Sequence, residues 1–508
     1  MIACQSLSAV TINADQARIK TAGGLQNGVW NIWSNGEWGD FIQFKGQGPY
    51  RLEIEARGSP AIGIWSHMNV LIDGEAVGSL EVETRELKVF SFPLSSEAGI
   101  HRLTVQFTND FINKTEDRNL YVKRMTVIPA DGQGEAGLGD EAAWRVSALK
   151  RQSEQEREAL AEADRAIERI RKEDAVISIR DTAGQAVTGA SVKVTLVNPE
   201  FLFGCNIFGF DRFGNQPDND AYKTRFAALF NFATTAFYWR DYEREPGKPN
   251  YAYTDKVLAW CKEQGIRVKG HPLLWGNPAG IASWIQGLPT PDEQRQRVSA
   301  IISHYRGQIE FWEVVNEASH FSELKIDQPY RWAHEADPNA HLNLNDYNVM
   351  ADGCPEFYAI LQQAIASGVP FDGVGIQAHE PENVRFPLVS VRRILSQYAG
   401  LGKDLYITEF TPVSSGHPVE GVIPSGVWDE QTQADYAVAF YTICFANPSV
   451  KGITWWDLCD RMSWRKNGGL LRDDLSPKPV YLALEDLIHR KWTTREQGKT
   501  DASGTFSF

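Results

Sequence analysis

The sequence predicts an α/β fold in which a (β/α)8 TIM barrel follows an all-β sandwich. Two patterns support this fold class. Up to residue 130, short runs alternate apolar and polar residues and end at Gly, Asp or Asn turns, as half-buried antiparallel strands do. From Phe201 onward, short apolar runs alternate with amphipathic stretches, and eight such strand–helix units over roughly 290 residues are typical of the barrel.

Between these two regions the composition changes twice. The segment ADGQGEAGLGDEA is rich in Gly, Ala and acids, which indicates a linker, and the charged stretch after it has sparse apolar residues at helical spacing. The segment AVISIRDTAGQAVTGASVKVTLVN then predicts two strands around Gly-containing turns. The predicted domains are the β-sandwich (1–130), a linker and charged helix (131–174), a β-hairpin extension packed on the barrel (175–200), the barrel (201–495) and a C-terminal tail (496–508).

The composition argues against several classes of function. A formal net charge of −14 disfavours binding to nucleic acid or anionic lipid. No run of about eighteen apolar residues is present, so a membrane-spanning helix is not expected. The six cysteines lack metal-ligand spacing, and no phosphate-binding glycine motif follows a strand, which disfavours dehydrogenases and nucleotide enzymes. The opening MIACQ carries no export signal, and Cys4 is a candidate for lipid attachment.

Two predicted barrel strands end in a glutamate. FWEVVNEASHF begins as a strand that is apolar on both faces and reaches Glu317, and DLYITEF reaches Glu409. A buried carboxylate is costly unless something compensates for its desolvation. Strands four and seven of a barrel lie nearly opposite, and cleavage of a glycosidic bond needs carboxyl groups on opposite sides of that bond. The sequence therefore predicts a catalytic pair, with two buried structural salt bridges as the alternative.

Several ordered motifs surround this pair, and together they carry a family resemblance. From Ala175 to Lys491 the chain resembles the family 10 glycoside hydrolases, the xylanase family. The motifs are GHPLLW (270–275), WEVVNEA (312–318), LNDYN (344–348), GVGIQAH (373–379), ITEF (407–410), ITWWDLCDRMSW (453–464) and LLRDDLSPKPVY (470–481).

The resemblance implies a role for each residue. Glu317 would be the acid/base and Glu409 the nucleophile of a retaining double displacement, with carboxyl groups about 5–5.5 Å apart. A general acid needs a raised pKa, and both apolar surroundings and the charge of Glu409 are expected to raise the pKa of Glu317. Asn316 would hold the sugar 2-hydroxyl. The other residues implied to bind substrate are His271, Trp275, Tyr347, Gln377, His379, Trp456 and Trp464.

Several positions depart from the family pattern, including Asn277-Pro278, where a Gln is usual. Ala236 and Phe237 stand where a Glu-Asn pair usually grips the sugar two places from the cleaved bond, and the nearby Lys is missing. Thr411 stands where an Asp usually supports the histidine partner of the nucleophile. We therefore expect unusual glycone subsites, suited to a decorated chain, a shortened chain or another sugar, and an unusual pH dependence.

The amino-terminal region resembles the calcium-dependent xylan-binding modules of families 36 and 60. The WSNG and ND…DRNL patterns carry this match. Oxygen ligands clustered in one loop suit Ca²⁺, with an Asx-rich turn that satisfies its own backbone as the alternative. Lys123 stands where an acidic residue often occurs, which could weaken metal binding. The candidate metal ligands are Asn109, Asp110, Asp117 and Asn119.

The leading functional prediction is a retaining endo-1,4-β-xylanase-like hydrolase that acts on xylan or xylo-oligosaccharides. It would need no cofactor for catalysis, with Ca²⁺ confined to the amino-terminal module. It is expected to be monomeric and secreted, periplasmic or attached to the cell surface. The alternatives are an exo-acting or different-specificity β-glycosidase of the same family and a catalytically silent polysaccharide-binding protein. The intact pair Glu317 and Glu409 argues against the silent alternative.

Overall fold

The computed structural model describes residues 9–130, 134–321, 323–379, 383–421 and 425–508. These residues form two compact units, one up to Glu154 and one from Gln155 onward. Among the described helices, none is both long and apolar enough to cross a membrane. The candidate lipid-attachment residue Cys4 lies outside the described residues.

The first unit is a sandwich of two antiparallel sheets, as predicted. Along Gly48–Ser59 buried and more exposed residues alternate, so Tyr50, Leu52 and Ile54 all point into the core between the sheets. One sheet contains Val10–Asn13, Gly24–Gln26, Val29–Ile32, Gly48–Ser59, Lys88–Ser96, Phe111–Ile112 and Asp117–Pro129. The other contains Ile19–Lys20, Gly36–Phe44, Ser66–Ile72, Glu75–Val82, Gly99–Phe107 and Ala136–Leu138.

The predicted linker is partly wrong, because its residues Ala136–Leu138 form a strand. Ala136 pairs with Phe44 at the edge of the second sheet, and its methyl group is buried in the sandwich core. Small residues suit a linker, but they also suit an edge strand that packs closely on a neighbour. The charged helix follows at Glu141–Ile170.

The second unit contains the predicted barrel. Parallel strands pair in chain order, and the sheet closes because β8 pairs with β1 through Gly452 and Leu202. The short strand Leu274–Trp275 extends the pairing at the end of the fourth strand. The barrel strands are β1 (Leu202–Asn206), β2 (Phe232–Ala236), β3 (Arg267–His271), β4 (Phe311–Asn316), β5 (His341–Asp346), β6 (Gly373–Ile376), β7 (Asp404–Phe410) and β8 (Val450–Trp455).

Helices cover the outside of the barrel. Pro291–His304 shows why they start where they do: Pro291 occupies the first turn, and Thr290 and Glu293 form a capping box. The α-helices of the barrel are Gln216–Leu229, Trp239–Tyr242, Tyr251–Glu263, Pro291–His304, Asp327–Ala336, Val349–Asp352, Pro355–Ala366, Leu388–Ala399, Glu430–Phe445 and Pro479–Asp486. Short 3-10 helices occur at Pro278–Gly280 and Asp460–Met462, and a π-helix at Leu487–Lys491.

The structure differs from the prediction at both the hairpin of 175–200 and the tail of 496–508, because strands from these two regions pair with each other. Val176–Ser178 pairs with Thr505–Ser507, and Ser191–Thr195 pairs with Arg495–Lys499. The two early strands therefore find their partners at the carboxyl end of the chain rather than in each other. The bridge between Arg180 and Ala186 shows that the turn between them still folds back locally.

Candidate active site

All ten barrel residues that the sequence singled out line one cavity of about 640 Å³. The cavity lies at the carboxyl ends of the barrel strands, where functional side chains of this fold are found. The ten residues are His271, Trp275, Asn316, Glu317, Tyr347, Gln377, His379, Glu409, Trp456 and Trp464.

Glu317 lies one residue beyond the end of β4. Its backbone has a φ of 58°, in the left-handed region that a non-glycine residue rarely adopts. Its N–H donates to the carbonyl of Asn345 on β5 at 2.9 Å. The strand therefore stops with a sharp turn that directs the Glu317 carboxyl group into the cavity. A left-handed conformation at a functional residue is one way that active sites store backbone strain.

The carboxyl group of Glu317 receives a donor on each oxygen. Trp275 Nε1 donates to Oε2 at 2.7 Å, and Gln377 Nε2 donates to Oε1 at 3.0 Å. Burial raises the pKa of Glu317 above its ordinary value, and these two donors offset part of that rise. The charge of Asp346 raises the pKa further. A carboxyl group in this environment retains its proton to a higher pH than an exposed one.

Glu409 is buried in β7, and its Oε1 accepts a hydrogen bond from Asn345 Nδ2 at 3.0 Å. Burial and the charges of Glu313 and Glu317 raise its pKa. The charge of Lys269 and the Asn345 donor act in the opposite direction, because they favour the ionised form. From the sequence, repulsion within the pair is expected to raise the pKa of Glu317. In the structure it raises the pKa of Glu409.

Asn345 connects the two glutamates. Its Nδ2 also donates to Asn316 Oδ1 at 2.9 Å, and its own Oδ1 accepts from Thr408 Oγ1 at 2.7 Å. Asn316 Nδ2 in turn lies 3.2 Å from Glu317 Oε1. The ends of β4, β5 and β7 are therefore held together by one network of side-chain hydrogen bonds.

A buried ion cluster that the sequence analysis missed lies beneath the pair. Glu313 Oε1 is 2.5 Å from Lys269 Nζ, and the other oxygen of Glu313 contacts His271 Nδ1. Burial alone would raise the pKa of Glu313, but the charges and hydrogen bonds of these two partners outweigh it and hold the pKa low. Atoms of His271, Glu313 and Glu409 lie within 4.8 Å of one another. The signal in the sequence that could have revealed this cluster is the presence of Lys269 and Glu313 within otherwise apolar strands.

His379 lies between the nucleophile candidate and a neighbouring amide. Its Nε2 is 3.0 Å from Gln377 Oε1 and 3.9 Å from Glu409 Oε2. Among the described residues, no hydrogen-bond partner reaches its buried Nδ1. Burial, followed by the charge of Arg465, lowers the pKa of His379 from 6.5 to about 3. Thr411, in the usual place of an acidic partner, instead donates to the backbone carbonyl of Glu409.

Aromatic rings form the walls of the cavity. Trp456 is buried and meets His271 edge to face at 5.3 Å, whereas Trp464 is 63% exposed and lies 4.8 Å from His379. Tyr347 stacks on the ring of His320 at 3.5 Å. An exposed ring such as Trp464 offers a flat face on which a sugar can stack.

The two departures at the end of β2, Ala236 and Phe237, have different positions. The Phe237 side chain is fully buried and packs against Tyr242 and Trp312, with ring centres 4.7 and 5.0 Å away. It therefore cannot contact a ligand in the cavity. Ala236 lines a different, neighbouring cavity.

Three of the four predicted calcium ligands in the sandwich have suitable surroundings. Asp110 Oδ1 and Asn119 Oδ1 are buried acceptors that receive no donor from the described residues. Burial, followed by the charge of Asp117, raises the pKa of Asp110, as expected when two carboxylates share a site without a cation. Asn119 Nδ2 donates to Asp117 Oδ2 at 2.7 Å. Hard oxygen donors in this arrangement fit Ca²⁺.

Asn109 and Lys123 differ from expectation. The amide of Asn109 is bound to backbone on both sides, since Oδ1 accepts from the N–H of His67 and Nδ2 donates to the carbonyl of Trp65. It is therefore removed from the ligand set. Lys123 pairs with Glu55 at 2.9 Å and lies six residues along the strand from Asp117, about 20 Å away, so it does not disturb the site.

Comparison with known proteins found matches in both units. Residues 51–136 match the family model of a Ca-dependent, xylan-binding carbohydrate-binding module, CBM60. Endo-1,4-beta-xylanase B of Thermotoga neapolitana is 28% identical over 315 residues, which are 56% of this chain and 88% of that protein. Anti-sigma-I factor RsgI6 of Acetivibrio thermocellus is 28% identical over 362 residues, and this chain spans only 45% of that relative's length.

Solved structures agree with these matches. The crystal structure of xylanase 10B from Thermotoga petrophila RKU-1 in complex with xylobiose is 27% identical, with a TM-score of 0.50 over 58% of this chain and 95% of that one. Native xylanase 10B from Thermotoga maritima is 26% identical, also with a TM-score of 0.50, over 58% and 96% of the two chains. Residues 197–487, more than half of the chain, match the model of glycosyl hydrolase family 10. These residues hold both glutamates of the cavity, and the resemblance seen in the motifs is confirmed: the chain belongs to glycosyl hydrolase family 10.

Proposed function

We propose that the barrel is a retaining endo-acting hydrolase of β-1,4-xylosidic bonds in xylan. The observation that carries this proposal is the pair of carboxyl groups at one cavity: the half-buried Glu317 with a raised pKa and two N–H donors, and the buried Glu409 held by Asn345. Membership of the family and the likeness to xylanases support the choice of substrate.

In the first chemical step, Glu317 gives its proton to the leaving glycosidic oxygen while a Glu409 oxygen attacks the anomeric carbon. The C–O bond to the leaving sugar breaks, and a glycosyl ester of Glu409 forms. In the second step, Glu317 as carboxylate removes a proton from water. The water oxygen attacks the same carbon, the ester bond breaks, and both groups regain their starting states with the sugar configuration retained.

The mechanism requires the proton on Glu317 and the charge on Glu409 at the start of this cycle, whereas burial raises the pKa of both carboxyl groups. The Asn345 donor and the nearby charge of Lys269 favour ionised Glu409. Once Glu409 has become an ester, its charge is gone, and the donors Trp275 and Gln377 help Glu317 to remain ionised as the base.

The remaining cavity residues would position the sugar. Asn316 is placed to bind the 2-hydroxyl group, His271 and His379 line the subsite at the cleaved bond, and Trp456 and Trp464 would stack on sugar rings. Tyr347, Gln377 and Trp275 complete the lining. Because Phe237 is buried in the core, recognition of the glycone is proposed to differ from that of an ordinary xylanase, which favours a decorated substrate or another specificity over unbranched xylan.

The sandwich would hold the enzyme on its substrate. Asp110, Asp117 and Asn119 would hold Ca²⁺, which supplies a hard cation that binds sugar hydroxyl groups. The enzyme is proposed to act as a monomer outside the cytoplasm, where xylan is found, and to need no metal for the hydrolytic step.

The test is a chromatographic time course of products from xylohexaose, arabinoxylan and glucuronoxylan, with Glu409→Gln and Glu317→Gln alongside. Short oligosaccharides should accumulate from at least one substrate, and proton NMR should show the β-anomer first. Glu317→Gln should lower kcat by about 10²–10⁴-fold, and Glu409→Gln should abolish turnover. No products from any substrate, or an α-anomer first, would contradict the proposal.

A further inference from the structure

A second cavity of about 350 Å³ lies beside the catalytic one, at the ends of β1 and β2. The two cavities share Phe208 and Tyr238, whose rings meet edge to face with centres 5.9 Å apart. The mechanism above uses no residue that is confined to this second cavity. We call it the side-branch pocket.

Local packing on β2 accounts for the open space. Ala236 contributes only a methyl group to the side-branch pocket, and the next side chain, Phe237, is directed into the core against Trp312. Ligand pockets typically measure about 300–1,000 Å³, so this one is near the small end of the range. It is suited to a single sugar ring rather than to a further stretch of backbone.

The charged residues that line the pocket are two arginines, Arg212 and Arg244, and one aspartate, Asp241. Arg212 lines the pocket, and its Nε donates to the hydroxyl of Tyr253 at 3.3 Å while its guanidinium lies over that ring, 4.8 Å from the centre. The adjacent Asp211 is paired with Lys223 at 2.5 Å. Arg212 itself has no ion-pair partner among the residues that the structure describes.

A second arginine at the pocket is already neutralised. Arg244 pairs with Asp241 at 3.3 Å, and both side chains are largely exposed. Arg212 is therefore the cation whose charge remains available to a ligand. The chain as a whole carries −14, so an unpaired cation next to an acidic catalytic cavity points to a negatively charged partner.

We propose that the side-branch pocket binds a uronic-acid branch of the xylan chain, with its carboxylate bonded to Arg212; this rests on the proposed xylan-hydrolase function. Arginine presents its N–H groups in a planar fork that matches a carboxylate, and the Tyr253 ring and hydroxyl hold that fork in place. Asn250 and Thr235 line the same pocket and supply polar groups for the sugar hydroxyls.

The test compares kcat/KM for two soluble substrates of equal backbone length, one unbranched and one with a single glucuronic-acid branch. Arg212→Gln should lower the branched-to-unbranched ratio by about 10- to 100-fold, the effect expected for a charge-assisted hydrogen-bond pair, with little change on the unbranched substrate. Arg212→Lys should keep part of the ratio. Arg295→Gln, which changes an exposed arginine on the helix Pro291–His304, away from the pocket, should leave the ratio unchanged.

A binding experiment distinguishes failure of this proposal from failure of the proposed hydrolase function. In the Glu409→Gln variant, which should not turn over substrate, calorimetry with the branched and unbranched oligosaccharides measures the contribution of Arg212 to binding affinity. Equal affinities, an equal loss for both ligands on Arg212→Gln, or the same preference for a neutral arabinose branch would each overturn the uronate assignment. If free glucuronate binds in an Arg212-dependent way but the branched chain binds no better than the unbranched one, the pocket is a general anion site. That result would also overturn the uronate assignment.

Discussion

The carboxyl group of Glu317 is placed between opposing influences. Burial favours its protonated form, whereas the N–H groups of Trp275 and Gln377 favour its ionised form. The proposed mechanism needs both forms in turn, since in it the group first donates a proton and later accepts one. A single substitution that removes one of these influences should therefore shift the pKa of Glu317 in a known direction.

Trp275→Phe should move the alkaline limb of the kcat/KM profile to higher pH by about one unit. In the proposed mechanism protonated Glu317 is the active form, so activity should fall as pH rises through its pKa. Removing one N–H donor removes stabilisation of the carboxylate and raises that pKa, and a hydrogen bond to a charged group of about 1.5–3 kcal/mol corresponds to about one pKa unit or more. The measurement is kcat/KM on a soluble oligosaccharide across pH.

Trp284→Phe is the matched control for this change. The indole N–H of Trp284 donates to the carbonyl of Glu243 outside the catalytic cavity, so its loss should leave the alkaline limb in place. If Trp275→Phe shifts the limb downward, or both variants shift it equally, Glu317 is not the group whose ionisation ends activity.

Sequence motifs placed the site residues together because these residues lie at the carboxyl ends of barrel strands. A strand of a parallel barrel delivers its last residue to a common face, so Asn316, Gln377 and Glu409 could be placed together from chain position alone. The ion pair of Glu313 with Lys269 depends on the register of β4 against β3, which the sequence does not state. The orientation of the Asn109 amide is likewise decided by which backbone groups of the folded module need a partner.

At the scale of elements, strand pairings between neighbours in the chain were predicted, and pairings between distant segments were not. The barrel strands and helices alternate along the chain, so each strand finds its neighbour after one crossover. Val176–Ser178 and Thr505–Ser507 have no such local signal. Their pairing depends on two sheet edges that exist only after the rest of the unit has folded.

The start of the helix Pro291–His304 allows a direct test of how one cap contributes to stability. Thr290→Ala should lower the free energy of unfolding by about 1 kcal/mol, because it removes the side chain that accepts from the N–H of Glu293. Chemical denaturation measures the change, and kcat should be unaltered because Thr290 lies outside the catalytic cavity. Thr290→Ser, which retains a capping hydroxyl, should recover most of the stability. An Ala variant as stable as the parent would show that the cap contributes nothing here.

At the scale of the whole molecule, binding and hydrolysis are assigned to different units. The candidate calcium ligands lie before Glu154, and both glutamates of the cavity lie after Gln155. Chelation of Ca²⁺ should therefore weaken retention on insoluble xylan while leaving turnover of xylohexaose unchanged. Pull-down on insoluble xylan and a soluble assay, each with and without chelator, measure the two effects.

Asp110→Asn should reproduce the effect of chelation, and Asp15→Asn, an exposed acid of the same unit, should not. Asp110→Asn should also stabilise the calcium-free module, because it removes the repulsion with Asp117 that raises the pKa of Asp110. Retention that is indifferent to chelator would mean that the module binds xylan without the ion.

The strands at the two ends of the catalytic unit also constrain the order in which it can fold. Ala175 and Phe508 exchange backbone hydrogen bonds. Nearby, the Thr500 N–H donates to the carbonyl of Ala190, 310 residues away in sequence, and the Ala190 N–H donates to Thr500 Oγ1. Bringing such distant segments together is entropically unfavourable until the intervening chain is compact. These pairs should therefore be among the last to form during refolding, and the amide protons that they protect should exchange with solvent before those of the barrel strands do.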